Sequence, residues 1–327
     1  MRGTLSGWRK DIAPEGANID DHGPYTYNLG NLAGYTLGGT ALARYTVQLW
    51  NERESFIPAV QDSLGRNEAA NNLILGLLSA HQETPFPILA TVYHDGRLVL
   101  TAIQTDPHTN LVLSFSNHLL AIDPLVKVLY NQTPCLPGVL GSVDLVTHFV
   151  EKWGALTGVH AHLDVQERIF SIQTVQDANY PRGHMRWADP SDADWLAVWI
   201  EKFTKEALPY APSIQAKPTV THRLEQGWPN AGYLVMEEEV GPVSLAGFGG
   251  PTGQGIRLGP VYTPPAFRNQ GYGSEVVHAL TRRLLHSRYQ SVYLYTDLAN
   301  STSNHIYQKI GYRAVMDVNQ FSFHERA

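Results

Sequence analysis

Residues 43–50 alternate apolar and polar side chains, the period of a half-buried strand. From 56 to 82 the spacing turns helical, with Leu73, Ile74, Leu77 and Leu78 on one side, which predicts one long helix. Residues 88–103 read as a hairpin, because Asp95-Gly96 suits the positive φ angles of a type I′ turn. A strand at 111–115, a helix at 119–130 interrupted by Pro124, a helix at 143–156 ended by Gly158 and a strand at 159–172 follow. The order then begins again. A short strand at 184–188 precedes a helix from Pro190 through Lys205 with acidic residues at its positive end. A Pro-rich stretch of mixed loop and helix (210–229) leads to a hairpin over 233–248 around Val240-Gly241, then a strand at 255–263. An amphipathic helix at 274–288, a strand at 291–296, a helix at 303–309 closed by Gly311 and a strand at 314–323 end the series.

Both halves therefore share one order: strand, helix, hairpin, strand, helix, strand, helix, strand. The expectation is an α/β fold built from two copies of one mixed-sheet architecture, over 43–175 and 183–327. Residues 1–42, rich in Gly, Asp, Asn and Tyr without periodicity, read as an irregular arm. A chain of 327 residues is long for one core and comfortable for two.

A net charge of −6, with basic residues scattered, disfavours nucleic acid as a partner. Cys135 is the only cysteine, which removes a disulfide framework and a thiolate zinc site. No apolar leader or membrane-spanning run stands out, so a cytoplasmic protein is expected, and the sequons at Asn131 and Asn300 read as chance.

The chemistry concentrates in Val261-Tyr-Thr-Pro-Pro-Ala-Phe-Arg268-Asn-Gln-Gly271-Tyr-Gly273-Ser. An apolar strand, a Pro-Pro break and a basic glycine-rich turn open there onto a helix N-terminus. Backbone N–H groups at such an end point outward, and the helix dipole adds partial positive charge. Gly271 and Gly273 remove side chains that would block a ligand, and Arg268 adds a full charge suited to phosphate. The pattern predicts a phosphate or pyrophosphate cradle. The first half has Asp123-Pro-Leu-Val-Lys at the matching place and no such cradle, so it reads as catalytically empty.

These residues resemble the GNAT superfamily of N-acetyltransferases. Arg268-Asn-Gln-Gly-Tyr-Gly273 is similar to its (Gln/Arg)-x-x-Gly-x-(Gly/Ala) signature, and Asn300-Ser-Thr-Ser-Asn304-His-Ile-Tyr307-Gln-Lys-Ile-Gly311-Tyr resembles its Asn…Tyr-x-Lys-x-Gly-Phe segment. The pair covers roughly residues 183–323; over 43–175 the likeness rests on element order alone. The resemblance implies two GNAT-like domains, the N-terminal one degenerate, with acetyl-CoA as co-substrate and no metal. Arg268, Asn269, Gln270, Gly271, Tyr272, Gly273 and Ser274 would hold the pyrophosphate. Val261, Tyr262 and Thr263 would offer backbone to pantetheine beyond a bulge at Gly259-Pro260, Asn300 or Asn304 would hold the pantetheine arm, and Tyr307 would be the general acid.

The general base departs from the family pattern, since Ile256, Arg257 and Leu258 supply no carboxylate. Asp297 is the favoured candidate, although a capping carboxylate is its plainer reading; Glu237, His305 or a water relay are the others. The expected activity is direct acetyl transfer to the amine of a small molecule such as an amino acid, polyamine or secondary metabolite. A protein or peptide amine, and a CoA sensor or scaffold without turnover, are the alternatives. A monomer or homodimer fits either. Gly247-Phe-Gly249 fails as a dinucleotide fingerprint because Thr252 takes the third glycine's place, and residues 30–39 lack a P-loop lysine. His160, His162 and Asp164 alternate along one strand but have no partner cluster for a metal.

Overall fold

The computed structural model describes residues 17–18, 25–28, 45–80, 84–133, 135–176, 183–208 and 215–324. Two short strands, β1 (Ala17–Asn18) and β2 (Tyr25–Asn28), lie within the stretch expected to be irregular, and β2 pairs with β3 (Tyr45–Leu49). The rest of the first half runs α1 (Arg53–Gly65), α2 (Glu68–Ser79), β4 (Ile88–His94), β5 (Arg97–Gln104), β6 (Leu111–Leu113), α3 (Ile122–Gln132), β7 (Gly138–Ser142), α4 (Val143–Thr157) and β8 (His160–Ile172). The second half repeats it: β9 (His184–Trp187), α5 (Ala193–Ala207), α6 (Ala216–Gln226), β10 (Gly232–Glu238), β11 (Gly241–Gly249), β12 (Gly255–Tyr262), α7 (Tyr272–Leu285), β13 (Ser291–Asp297), α8 (Ser301–Ile310) and β14 (Arg313–His324).

Local chemistry explains most boundaries. The single helix expected over 56–82 is two, because the chain turns after Gly65 and Asn67 begins a new helix, its carbonyl accepting from Ala70 and Asn71. Pro124 does not interrupt α3; it falls in the first turn, where an amide has no helical acceptor to lose. Asp95 and Gly96 both take positive φ, as a type I′ turn needs. Gly158 and Gly311 close α4 and α8 in the left-handed region. Asp192 accepts from the Asp189 amide at the entry to α5, and Arg186 of β9 grips it bidentately; burial alone would raise its carboxyl, yet these donors hold it down at about 2.

Among the described residues fourteen strands form one sheet, in the order β1-β2-β3-β4-β5-β6-β7-β14-β8-β13-β12-β11-β10-β9. The β6–β7 and β12–β13 pairs are parallel and the others antiparallel. The closing strands are exchanged: β8 of the first half lies beside β13, β14 of the second beside β7, and the two pair with each other at the centre. A bidentate Arg168–Asp317 pair sits on directly opposed residues and marks that register.

Packing follows the exchange. Phe170 and Ile172 of β8 belong to the second half's core with Val276, Leu280 and Ile310. Phe321 and Phe323 of β14 pack on the first half's core, where Phe323 lies 6.4 Å from Phe149 and 6.3 Å from Trp153 between ring centres. Glu68 of α2 also reaches the second half, accepting from Thr252, the Gln254 amide (2.8 Å) and Tyr293 (3.3 Å). Neither half completes its sheet or its core alone. Among the described residues no helix is long and apolar enough to cross a membrane.

Candidate active site

Strand β12 pairs in parallel with β13 only through Gly255, Ile256 and Arg257. On its other edge Leu258 faces Phe248 and Val261 faces Ala246, so Gly259 and Pro260 stand opposite the single residue Gly247. This is the bulge that Gly259-Pro260 predicts. A Cβ at Gly247 would lie 2.9 Å from the Gly259 carbonyl oxygen and 2.9 Å from Pro260 Cδ, which explains the glycine there. Arg223 of α6, lying over the Tyr233 ring, donates Nη1–H to the same carbonyl at 2.8 Å and fixes the bulge. Beyond it, among the described residues, β12 has no partner strand on the β13 side. A cleft of about 840 Å³ fills the gap.

One end of the cleft is the loop into α7. A 3₁₀ turn at Pro265–Phe267 leads into Asn269 (φ 61) and Gly271 (φ 91), both left-handed. Asn tolerates that region and glycine enters it freely. The first amides of α7 are left without helical acceptors by helix geometry, and their residues, Tyr272, Gly273 and Ser274, line the cleft. Gly273 packs against the end of β12, where a Cβ would stand 3.4 Å from Thr263 Oγ1. Arg268 donates Nε–H to the Thr263 carbonyl at 2.9 Å, pairs with Glu206 of α5, and lies 5.9 Å from the Tyr262 ring centre. The unpaired β12 edge, the bared amides and the guanidinium fit a diphosphate joined to an extended, amide-bearing arm.

Val261, Tyr262, Thr263, Arg268, Asn269, Gly271, Tyr272, Gly273 and Ser274 all line the cleft. Gln270 does not; its amide turns back to the Ala266 carbonyl at 3.4 Å. The far wall carries Tyr295, Thr296 and Asp297 of β13 with Asn300 and Tyr307. Asn300 caps α8, accepting from the Ser303 amide at 3.0 Å. Asn304 stands outside the cleft, its side chain donating to the carbonyls of Asp297 (2.9 Å) and Asn300 (2.8 Å); it sets the β13–α8 turn. Asp297 borders the cleft and accepts from the Ala299 amide at 2.8 Å in the turn after β13.

Tyr307 is buried between Phe170 (6.4 Å) and Tyr312 (5.9 Å), with its ring against the cleft. Burial pushes its phenol up to about 12, so it keeps its proton at neutral pH. Glu237 is engaged by Arg186 at 3.0 Å on the outer edge of the sheet, and exposed His305 lies outside the cleft.

Two acidic residues that the sequence did not single out also line the cleft: Glu206 at the end of α5, and Glu167 on β8. Glu167 lies directly opposite Asp297 in the β8–β13 register. Burial, with Asp297 alongside, pushes its carboxyl up to about 7. No local pattern in residues 159–172 says which half's sheet that strand joins. The first half therefore contributes to the cleft. At the place matching the second half's cradle, Asp123 at the start of α3 is bound by His148 (2.8 Å) and Lys152 (3.6 Å). Among the described residues no group of three or more His, Cys, Asp or Glu side chains could hold a metal; His162 and Asp164 are hydrogen-bonded to each other at 3.1 Å.

The splayed parallel pair, the glycine-rich loop at a helix start and the tyrosine on the next helix define a GNAT-type fold, here in tandem. Comparison with known proteins agrees. Residues 252–322 match the family described as FR47-like protein. An acetyltransferase of the GNAT family from Colwellia psychrerythraea superposes with a TM-score of 0.54 at 12% identity, over 85% of this chain and 99% of that one. A Drosophila protein gives 0.61 at 13%, over 84% and 98%. A tandem GNAT protein from the clavulanic acid biosynthesis pathway gives 0.54 at 12%, over 86% and 98%. No curated protein sequence matches the chain. The expected resemblance thus stands for the fold across both halves and, over 252–322, for the sequence as well.

Proposed function

We propose that this chain is an acetyl-CoA-dependent N-acetyltransferase that acetylates the amine of a small molecule. The observation that carries the reading is one continuous cleft joining an unpaired strand edge, an anion-cradling helix start and a buried, protonated tyrosine. Bound acetyl-CoA supplies an acyl group activated as a thioester. Arg268 and the α7 amides hold its diphosphate, and the β12 backbone around Val261 to Thr263 aligns the arm. Tyr307 Oη keeps a proton ready for the departing sulfur. Glu167, Glu206 and Asp297 leave the lining more acidic than Arg268 can balance, which favours a cationic amine over an anionic acceptor. Phe203 and Tyr262 add apolar and aromatic surface for its carbon skeleton.

The test is thiol release from acetyl-CoA across a panel of amino acids, polyamines and amine metabolites, with basic peptides and a protein amine as further arms. Release dependent on a small cationic amine is expected. Release only with peptides or protein would move the acceptor class. Tight CoA binding without release from any amine would make the protein a CoA sensor.

A further inference from the structure

We propose that Glu167, a residue of the first half carried into the second half's cleft on β8, takes the proton from the incoming amine. The proposal rests on the transferase reading and supplies the base that β12 lacks. Strand alternation puts Val165 and Glu167 on one face of β8, and both line the cleft. Glu167 is the direct partner of Asp297, so two carboxylates stand side by side on that wall. Asp297 is already committed to the Ala299 amide, whereas among the described residues no donor is hydrogen-bonded to the Glu167 carboxylate.

Its surroundings set its protonation. From β13 it faces Asp297 and Tyr295, and buried Arg257 of β12 interacts with that tyrosine. Its β14 partner is Val318, beside Asp317, which Arg168 holds. Tyr262 of β12, Glu206 of α5, Arg268 of the loop, Tyr272 of α7 and Tyr307 of α8 complete the charged and titratable groups of the cleft. Burial first, then the Asp297 charge, raises Glu167 to about 7, where both of its protonation states are populated near neutral pH.

Acetylation removes two protons from an ammonium nitrogen. Glu167 takes the first and passes it to solvent, freeing the lone pair. The N–C bond forms as the C–S bond breaks. Tyr307 Oη hands its proton to the sulfur and is made good by the second proton lost from nitrogen.

Glu167→Gln is expected to lower kcat by roughly 10²–10⁴-fold, with CoA affinity by calorimetry within about two-fold of wild type. It should also abolish the limb near pH 7 in the profile of kcat/KM for the amine. Asp297→Asn should keep that limb, whatever its rate. A wild-type profile in Glu167→Gln, or loss of the limb in Asp297→Asn instead, would overturn the assignment. Carboxyl-carbon NMR of glutamate-labelled protein gives a readout independent of turnover: one signal, missing in Glu167→Gln, should titrate near neutrality. A Glu167 signal in the ordinary carboxylate range would refute the proposal. If wild type acetylates no amine, the transferase reading fails on its own, and the NMR titration still decides whether Glu167 is poised.

Discussion

Replacing Tyr307 by Phe is expected to lower turnover by roughly 10²–10⁴-fold, the range for losing a positioned proton donor, while CoA affinity stays within about two-fold. The ring would keep its contacts with Phe170 and Tyr312, so only Oη is lost and the fold is spared. Because burial raises the phenol to about 12, the acid is fully loaded at neutral pH, and its removal should tell at every pH below about 10. Thiol-release kinetics at saturating amine, paired with calorimetry, check both halves of the statement. An unchanged rate would remove Tyr307 from the acid role.

Phe170→Ala should destabilise the protein by about 3–5 kcal/mol, as for a fully buried aromatic truncated in a core. Phe170 is 0% exposed and is covalently part of the first half, yet its ring belongs to the second half's core. The loss should therefore not stay in one half. Urea unfolding followed by hydrogen exchange is expected to show the amides of β7 and of β13 losing protection together. First-half amides that keep wild-type protection while the second half opens would show that the exchanged strands do not couple the two.

The exchange also shows where reading the sequence stops. Element order was legible because each strand and helix carries its own period, and Gly158, Gly311 and Asp95-Gly96 mark their ends by backbone conformation. The loop from Arg268 to Gly273 was legible because its chemistry is contiguous. Strand partners are a different matter. Residues 160–172 alternate as any strand does, and only the three-dimensional register sets Glu167 against Asp297. For the same reason the candidates for the base that the sequence offers, Asp297, Glu237 and His305, all lie in the second half, and none on a strand of the other half. Asn300 and Asn304 could not be separated until the start of α8 at Ser301 put one at the cap and the other in the turn's hydrogen bonds. The break after Gly65 and the strand at Tyr25–Asn28 were missed because weak local signals there are settled by tertiary packing.

Calorimetric titration with CoA reports directly on the proposed diphosphate cradle. One site per 327-residue chain is expected, since only the second half carries the glycine-rich turn with Arg268, and the first half has Asp123-Pro-Leu-Val-Lys at the matching place. Arg268→Ala should weaken that site by roughly 10–100-fold, the loss of charge-assisted hydrogen bonds to phosphate. Absence of binding, two equivalent sites, or an Arg268→Ala variant with wild-type affinity would contradict it.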